Sequence, residues 1–575
     1  MKKVMEYLSH YKRECILGPL FKLLEASFEL AIPLVVARIV DVGIAQGDTG
    51  YILRMCLLMG ALGFIGLACA VTAQYFAAKA AVGTAARLRS ALMQKMLQLS
   101  HTQIDGLGTA TMVTRMTSDV NQVQNGVNLG VRLLLRSPFV VFGAMVMAFT
   151  IDLNAALVFA AVIVVLCVVV FGIMLISIPM HRKVQSSLDG VTAATRQNLT
   201  GVRVLRAFCK EDDQIHEFRE KTEDLTHKQL SVGAVTSLLN PLTMVLIDLA
   251  VVALIFVGGW KVDAGALTQG MVVALYNYMS QILVELIKMA DLIITITKSV
   301  ACGKRIGTIL DMDTTGETVP GQKAIVSGAV EFQNVHARYA GTSADALEEI
   351  SFHAEPGQTI GIIGGTGAGK TTLVELIPRL YEAAQGTILI DGQDIRTLDK
   401  AALRTQIGIV PQKAVLFRGT IRENLCWGRK DATDDDLWEA LEIAQAREVV
   451  KDKDGELDAM VEQEGRNFSG GQRQRLTIAR ALVRRPKILI MDDSASALDY
   501  ATDARLRMAI RGMKEPPTTF IVSQRAVSVR YADQILVLDD GVLVGQGTHD
   551  ELMERCPVYQ EIYYSQFPKE EGSHG

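Results

Sequence analysis

The stretch Gly364-Gly365-Thr366-Gly367-Ala368-Gly369-Lys370-Thr371 constrains this chain more than any other. Its spacing is Gly, four residues, then Gly-Lys-Ser/Thr. Residues Gln358–Ile363 before it read as a short buried strand, and Thr372–Ile377 after it read as the start of a helix. Strand, glycine-rich loop and helix is the context in which this spacing holds a phosphate. The glycines let backbone N–H groups curl round an anion, and the helix start adds a favourable dipole. In such a loop Lys370 is placed to reach the β- and γ-phosphates of a nucleotide, and the Thr371 hydroxyl to ligate Mg²⁺.

At 575 residues the chain is too long for one core, so at least two domains are expected. Hydrophobic residues make up 49% and the mean hydropathy is +0.25. The apolar excess sits in the N-terminal half. A net charge of −4 gives no case for a nucleic-acid partner. The eight cysteines are singletons with no CxxC pair, so neither a zinc site nor a disulfide framework is expected. Met1–Glu14 is polar and charged, and no cleavable signal peptide is expected there.

Six apolar stretches fill the first half: Ile16–Val42, Met55–Ala78, Ser137–Ile151 extended backward through Leu133, Asn154–Met180, Leu239–Trp260 and Ala264–Thr297. A membrane span needs about 20 apolar residues, and the second and fourth stretches carry no charge at all. Residues 5–14 suit a short amphipathic helix on the membrane surface. The short links Asp41–Gly50, near Asp152, and Val262–Gly270 carry almost no Lys or Arg. The long links 79–132 and 181–238 carry many, among them Arg87, Arg89, Arg115, Arg182, Arg196 and Arg203. Positive charge marks the cytoplasmic side, which places both long links, both termini and everything after residue 300 there. Charges inside spans usually face a cavity or a partner. Glu29, Asp248 and Glu285 are therefore candidates for a substrate path favouring cations. Glu285 and Lys288 are placed to pair. The alternative for Glu25, Lys288 and Asp291 is a position at the cytoplasmic ends, in headgroups or water.

Asp311–Ser327 is polar and holds Gly and Pro, as a linker would. An α/β pattern begins near Gly328. Tyr339 is placed either to stack on a base or as an ordinary loop tyrosine. Ile409–Gln412 follows a helix, and Gln412 is placed to reach Mg²⁺ or water. Asn467–Gln472 opens a basic helix, Arg473–Arg485, and Lys487–Asp492 is an apolar strand ending in an acid that would hold Mg²⁺ through water. The turn Ser469-Gly470-Gly471-Gln472 is itself an anion site at a helix start. Two phosphate sites in one domain make sense if the second serves a nucleotide on another copy.

In this order, Tyr339, Gly364–Thr371, Gln412, Phe468–Gln472, Ile488–Asp492 and Ser496–Asp499, the chain resembles the ABC transporter family over essentially its whole length. The likeness is to exporters with membrane and ATPase domains fused. Gly108–Val120 and Asn198–Phe208 look like that family's two intracellular loops. The resemblance implies a six-helix α-helical membrane domain with long cytoplasmic extensions at 1–314, a linker at 315–327, an α/β ATPase domain at 328–567 and a disordered tail at 568–575. It implies ATP and Mg²⁺ as cofactors. ATP would contact Tyr339, Gly364 to Thr371 and Thr372; Mg²⁺ would be held by Thr371, Gln412 and Asp492. Two such domains would sandwich two ATPs, each between one chain's phosphate loop and the other's Ser469–Gln472 turn.

Two positions depart from the family pattern. The residue after Asp492 is usually Glu, the general base; here it is Asp493. The switch position is usually His; here it is Gln524. Asp is a methylene shorter, and a displacement of roughly an ångström can cost about a hundredfold in rate. Gln cannot change protonation as His can. A milder departure lies at Val461–Gly465. An impaired own site beside an intact Ser469–Gln472 turn is the arrangement of bacterial heterodimeric ABC exporters. The expected function is one half of such a pump, moving amphipathic drugs or lipids across a bacterial inner membrane. Its partner would be a second exporter half-subunit. A homodimeric exporter or lipid flippase with slow ATPase, and an ATP-gated regulator, stay open as alternatives. His549 suits a structural turn, and Asn198-Leu199-Thr200 a glycosylation sequence left unused on the cytoplasmic side.

Overall fold

The structure is a computed structural model and describes residues 2–313, 325–339, 342, 344–494 and 496–567. Most of the expected linker 315–327, and all of the tail 568–575, lie outside the described residues. The described chain forms two compact units. One is made of Met1–Leu97 and Ala110–Asp311, the other of Gln98–Thr109 and the residues from Met312 on.

The first unit is all helix: α1 (Lys12–Arg38), α2 (Thr49–Gln98), α3 (Val120–Leu133), α4 (Arg136–Ile151), α5 (Leu153–Thr200), α6 (Glu211–Ser237), α7 (Leu239–Asp263) and α8 (Gln269–Leu310). At 50 and 48 residues, α2 and α5 are each about 70–75 Å long at 1.5 Å per residue, far more than the ~30 Å hydrocarbon core. Long extensions beyond the membrane follow from that length. Among the described residues four helical stretches are long and apolar enough to cross a membrane: Thr49–Gln98, Thr109–Ile151, Ala156–Thr200 and Glu211–Asp263. The first and sixth expected spans, on α1 and α8, are not among the four. Both hold charged residues that pair inside the unit.

Arg136 is the centre of that pairing. It is 6% exposed at the start of α4. Its two terminal nitrogens donate to Glu285 on α8 at 2.5 Å and to Glu29 on α1 at 2.6 Å. Ser137 Oγ and Lys288 Nζ each donate to Glu285 as well, both at 2.9 Å. Three helices are thus tied through one guanidinium, whose fork geometry suits two carboxylates. Small residues let these helices approach closely; Ala26, Ala144, Ala148 and Ala274 are fully buried. Tyr278 is fully buried too, and its hydroxyl donates to the Leu30 carbonyl at 2.7 Å. Asp248 is exposed on α7, with no ion pair among the described residues. Glu25 pairs with Lys22 at 2.5 Å. At the N-terminus a helix at Lys2–Leu8 and a 3₁₀ turn at Ser9–Tyr11 pack inward: Val4 is 3% exposed and Tyr11 lies under Arg87.

The second unit is built on a ten-stranded sheet. Its strands include β1 (Val330–Ala337), β2 (Leu347–Ala354), β3 (Thr359–Gly364), β4 (Gln385–Ile390), β5 (Ile407–Val410), β6 (Ile488–Asp492), β7 (Thr518–Val522), β8 (Gln534–Asp539) and β9 (Val542–Gly547). From the short edge strand Gln393–Asp394 the order is β4-β1-β2-β9-β8-β3-β7-β6-β5. The half containing β8, β3, β7, β6 and β5 is parallel. Every residue of β6 and β7 is buried, as a parallel sheet covered on both faces requires. This is why those strands read as continuous apolar runs in the sequence. The functional loops leave the carboxyl ends of β3, β6 and β7 side by side.

Candidate functional site

β3 ends at Gly364, and the loop that follows enters a helix at Lys370–Leu376. Two glycines are required by contact. A Cβ on Gly364 would lie 2.1 Å from the Leu538 carbonyl oxygen. One on Gly369, which has φ +87°, would lie 2.7 Å from that of Ala346. Lys370 is 9% exposed and donates to the carbonyls of Gly364 at 2.9 Å and Gly365 at 2.5 Å. Thr371 Oγ1 donates to Asp492, 3.1 Å from both carboxylate oxygens.

These groups open on a cavity of about 350 Å³, lined by Tyr339, the loop from Thr366 to Thr372, Gln412, Asp492, Asp493 and Gln524. The phosphate loop with Lys370 and Thr371, and Asp492 at the end of β6, which together make up the Walker motifs of a nucleotide site, therefore converge. Burial lowers the Lys370 pKa, against the pull of Asp493 and Asp492. Burial raises Asp492, with Thr371 opposing, and raises Asp493, with the side-chain hydrogen bond from Gln412 opposing. Asp493 sits at φ +43°, a backbone state that Asp tolerates better than most residues. Gln412 is thus tied to the acid at the expected general-base position. The donors fit a nucleotide and its cation: one ammonium, one hydroxyl and one buried carboxylate face a loop whose Gly365 and Gly367 leave open space.

Tyr339 Oη lies 2.8 Å from Thr372 Oγ1, and its ring meets Tyr381 edge-on at 5.3 Å. The Ser469–Gln472 turn is not part of the cavity. Ser469 caps the helix Gly470–Val483, and Gln472 returns a bond to the Ser469 backbone N–H at 2.9 Å. Sequence reasoning missed Arg525. Its guanidinium holds the carbonyls of Ser496 and Leu498 and lies over the Tyr500 ring, fixing the Ser496–Asp499 turn beside Asp493. Only its place next to Gln524 could have drawn attention to it.

Just before Gly108–Val120, residues Gln98–Thr109 fold with the ATPase unit, and His101–Leu107 forms a short helix there. Ser100 caps that short helix in a capping box with Gln103, and Gly108, at φ +72°, ends it.

Comparison with known proteins decides the family. Residues 15–286 match the ABC transporter transmembrane region, and residues 347–496 match the ABC transporter family. An uncharacterized ABC transporter ATP-binding protein of Bacillus subtilis, YfiB, is 34% identical over 99% of both chains. The chain belongs to the ABC transporter family. It is an ABC exporter with transmembrane and ATPase regions fused in one chain, and its ATPase domain binds ATP and couples hydrolysis to transport. YheI of B. subtilis, a probable multidrug resistance ABC transporter ATP-binding/permease protein, is 34% identical over 85% of this chain and 84% of its own. An ATP-bound bacterial Atm1-family ABC exporter shares the fold, with TM-score 0.79 at 24% identity over 97% of this chain and 99% of that one. Exporters of this family work as dimers.

One group in this ABC exporter makes its stability depend on pH. Burial, then Asp492 and Asp105, push the Glu375 carboxyl up to about 7 from an ordinary 4.5. Between those values the folded state binds more protons than the unfolded one, so stability falls as pH rises from about 4.5 to 7. Glu375→Gln cannot ionise. Its thermal midpoint should gain on wild type across that window and hold the gain above it. After discounting for partial exposure, the gain is about 1–2 kcal/mol. Parallel melting curves at pH 5 and pH 8 measure it; equal shifts at both would refute it.

Proposed function

We propose that this chain is one subunit of a heterodimeric exporter of amphipathic compounds, drugs or lipids, whose own Walker site turns ATP over slowly. The observation that carries this is Asp493 at the general-base position, beside Gln524 at the switch position. Residues Tyr339, Gly364 to Thr372 and Lys370 in particular would hold ATP, and Thr371, Gln412 and Asp492 would hold Mg²⁺. Asp493 is a methylene shorter than Glu, and the side-chain hydrogen bond from Gln412 holds it, so its carboxylate is drawn back from where a general base would meet the attacking water. Gln524 can donate a hydrogen bond but cannot carry the charge of a protonated His.

The Ser469–Gln472 turn stands outside this cavity with its cap intact, which supports its service to the partner's ATP. Val204 and Phe208, in the second loop, are 59% and 73% exposed and supply apolar surface for a second subunit. α1 and α8 would complete six membrane passes, with both termini in the cytoplasm of a bacterium and the helices in its inner membrane. The multidrug name of YheI supports the substrate class. Glu285 is buried in its ion pairs; Glu29, paired with Arg136 but with 39% of its side chain exposed, and Asp248 are the candidates that can still face a substrate path.

The test is ATP hydrolysis by this chain alone, with its partner, and with Asp493→Glu in each. We expect a nearly inactive lone chain and an active pair. Asp493→Glu should raise turnover at this site on the order of tenfold to a hundredfold. Vigorous hydrolysis by the lone chain would instead favour a homodimer, the reading that the complete set Lys370, Thr371 and Asp492 supports.

A further inference from the structure

We propose that Gln566 is a positioning residue, whose carboxamide holds the loop Ser523–Ala526 so that Gln524 meets the γ-phosphate of ATP. Gln566 lies in the last turn of the helix Pro557–Gln566, 42 residues from Gln524. Its side-chain nitrogen donates to the Gln524 carbonyl at 2.7 Å, and its side-chain oxygen accepts from the Ala526 N–H at 2.9 Å. A carboxamide presents a donor and an acceptor side by side, which is what a carbonyl and the N–H two residues on require. A carboxylate would lack the donor, and an apolar side chain would lack both. The loop is held from its other side as well. The Ser523 N–H donates to the Ile362 carbonyl at 3.1 Å, and the Arg525 N–H donates to Ser523 Oγ at 2.9 Å. Gln566 adds bonds to two further backbone groups, the Gln524 carbonyl and the Ala526 N–H.

The helix that carries Gln566 is itself seated. Pro557 opens it at a position where a missing N–H costs little. Tyr559 is fully buried, and its hydroxyl lies 2.8 Å from His549 Nδ1. Tyr559, Ile562, Tyr563 and Gln566 share one face at helical spacing. Ile562 and Tyr563 pack on the core that contains Ala526 and Val529. Gln566 thus reaches the loop from a fixed base. Gln524, with Val522 and Ser523, lines the nucleotide cavity, and Gln566 is not among the lining residues. A backbone tied at the Gln524 carbonyl and the Ala526 N–H sets the direction in which the Gln524 side chain leaves it. Gln566 therefore acts on the nucleotide only through Gln524. This rests on the reading that Gln524 is the switch residue of an ATP site.

The experiment measures nucleotide affinity of the full-length chain in lipid nanodiscs, as displacement of the fluorescent nucleotide TNP-ADP by ATPγS or by ADP with Mg²⁺ present. ADP lacks the γ-phosphate, so its affinity reports the integrity of the rest of the site. Gln566→Met keeps the length of the side chain and loses both hydrogen bonds. It should weaken ATPγS by about threefold to tenfold, the range that one hydrogen bond spans, and leave ADP as in wild type. Gln524→Ala should do the same. The double variant should be no worse than Gln524→Ala alone, because Gln566 acts through Gln524. A residue that merely braced the helix would weaken both nucleotides alike and add to Gln524→Ala. The proposal is overturned if Gln566→Met binds ATPγS as wild type does while Gln524→Ala is impaired, if both nucleotides weaken together, or if the two substitutions add. Wild-type ATPγS affinity in Gln524→Ala would instead remove the switch reading, and the role of Gln566 with it.

Discussion

Ser469→Arg in this chain will lower ATP hydrolysis by the assembled pair about a hundredfold or more, while Lys370→Ala in the same chain will leave most of it. The asymmetry follows from where the two groups sit. Lys370 faces the cavity that holds Asp493 and Gln524, a site expected to contribute little turnover. Ser469 lies outside that cavity, at the exposed start of the helix Gly470–Val483, where its backbone and hydroxyl would meet the partner's nucleotide. An Arg there blocks the approach and removes a helix cap, itself worth about 1 kcal/mol. Steady-state phosphate release from the two variant pairs measures both. Equal losses would mean that the two sites turn over alike, and the heterodimer with one slow site would fall.

Arg136→Ala will destabilise the membrane unit by about 3–5 kcal/mol, the largest stability effect of any single change considered. It leaves Glu285, 3% exposed, with Lys288 and Ser137 but without its guanidinium, and it frees Glu29 altogether. A buried carboxylate stripped of its cation bears the full cost of its desolvation. The triple variant Arg136→Met, Glu29→Gln, Glu285→Gln should recover much of the loss, because no unpaired charge remains. Thermal unfolding in nanodiscs compares them. A single variant as stable as wild type would show that the cluster contributes nothing to holding α1, α4 and α8 together.

The phosphate loop, Asp492, Gln412 and the Ser469 turn were legible because each depends on local spacing. A strand that ends in glycine and a lysine at the mouth of a helix leave the backbone few alternatives, and their order along the chain carries the family resemblance. The parallel strands β6 and β7 were legible as apolar runs for the same reason. The N-terminal segment was less so, because amphipathic spacing does not say whether protein or lipid covers the apolar side; Val4, next to the expected surface helix 5–14, is buried, while Met5 within it is 56% exposed.

The first loop shows the limit most clearly. Resemblance drew attention to Gly108–Val120 and passed over the short helix His101–Leu107 before it, whose start and end are set by capping at Ser100 and Gly108.

By itself the sequence determined the chemistry of the nucleotide site, the two departures Asp493 and Gln524, and the fusion of a membrane half to an ATPase half. Tertiary structure alone decided which charges neutralise each other and which distant side chains become hydrogen-bond partners. Arg136 finds Glu29 and Glu285 across 107 and 149 residues, and Tyr381 finds Asp105 across 276. No local period encodes such pairs. They form because a charge or hydroxyl buried by packing must be satisfied by whatever the fold brings within 3 Å, and only the assembled helices and sheet say what that is.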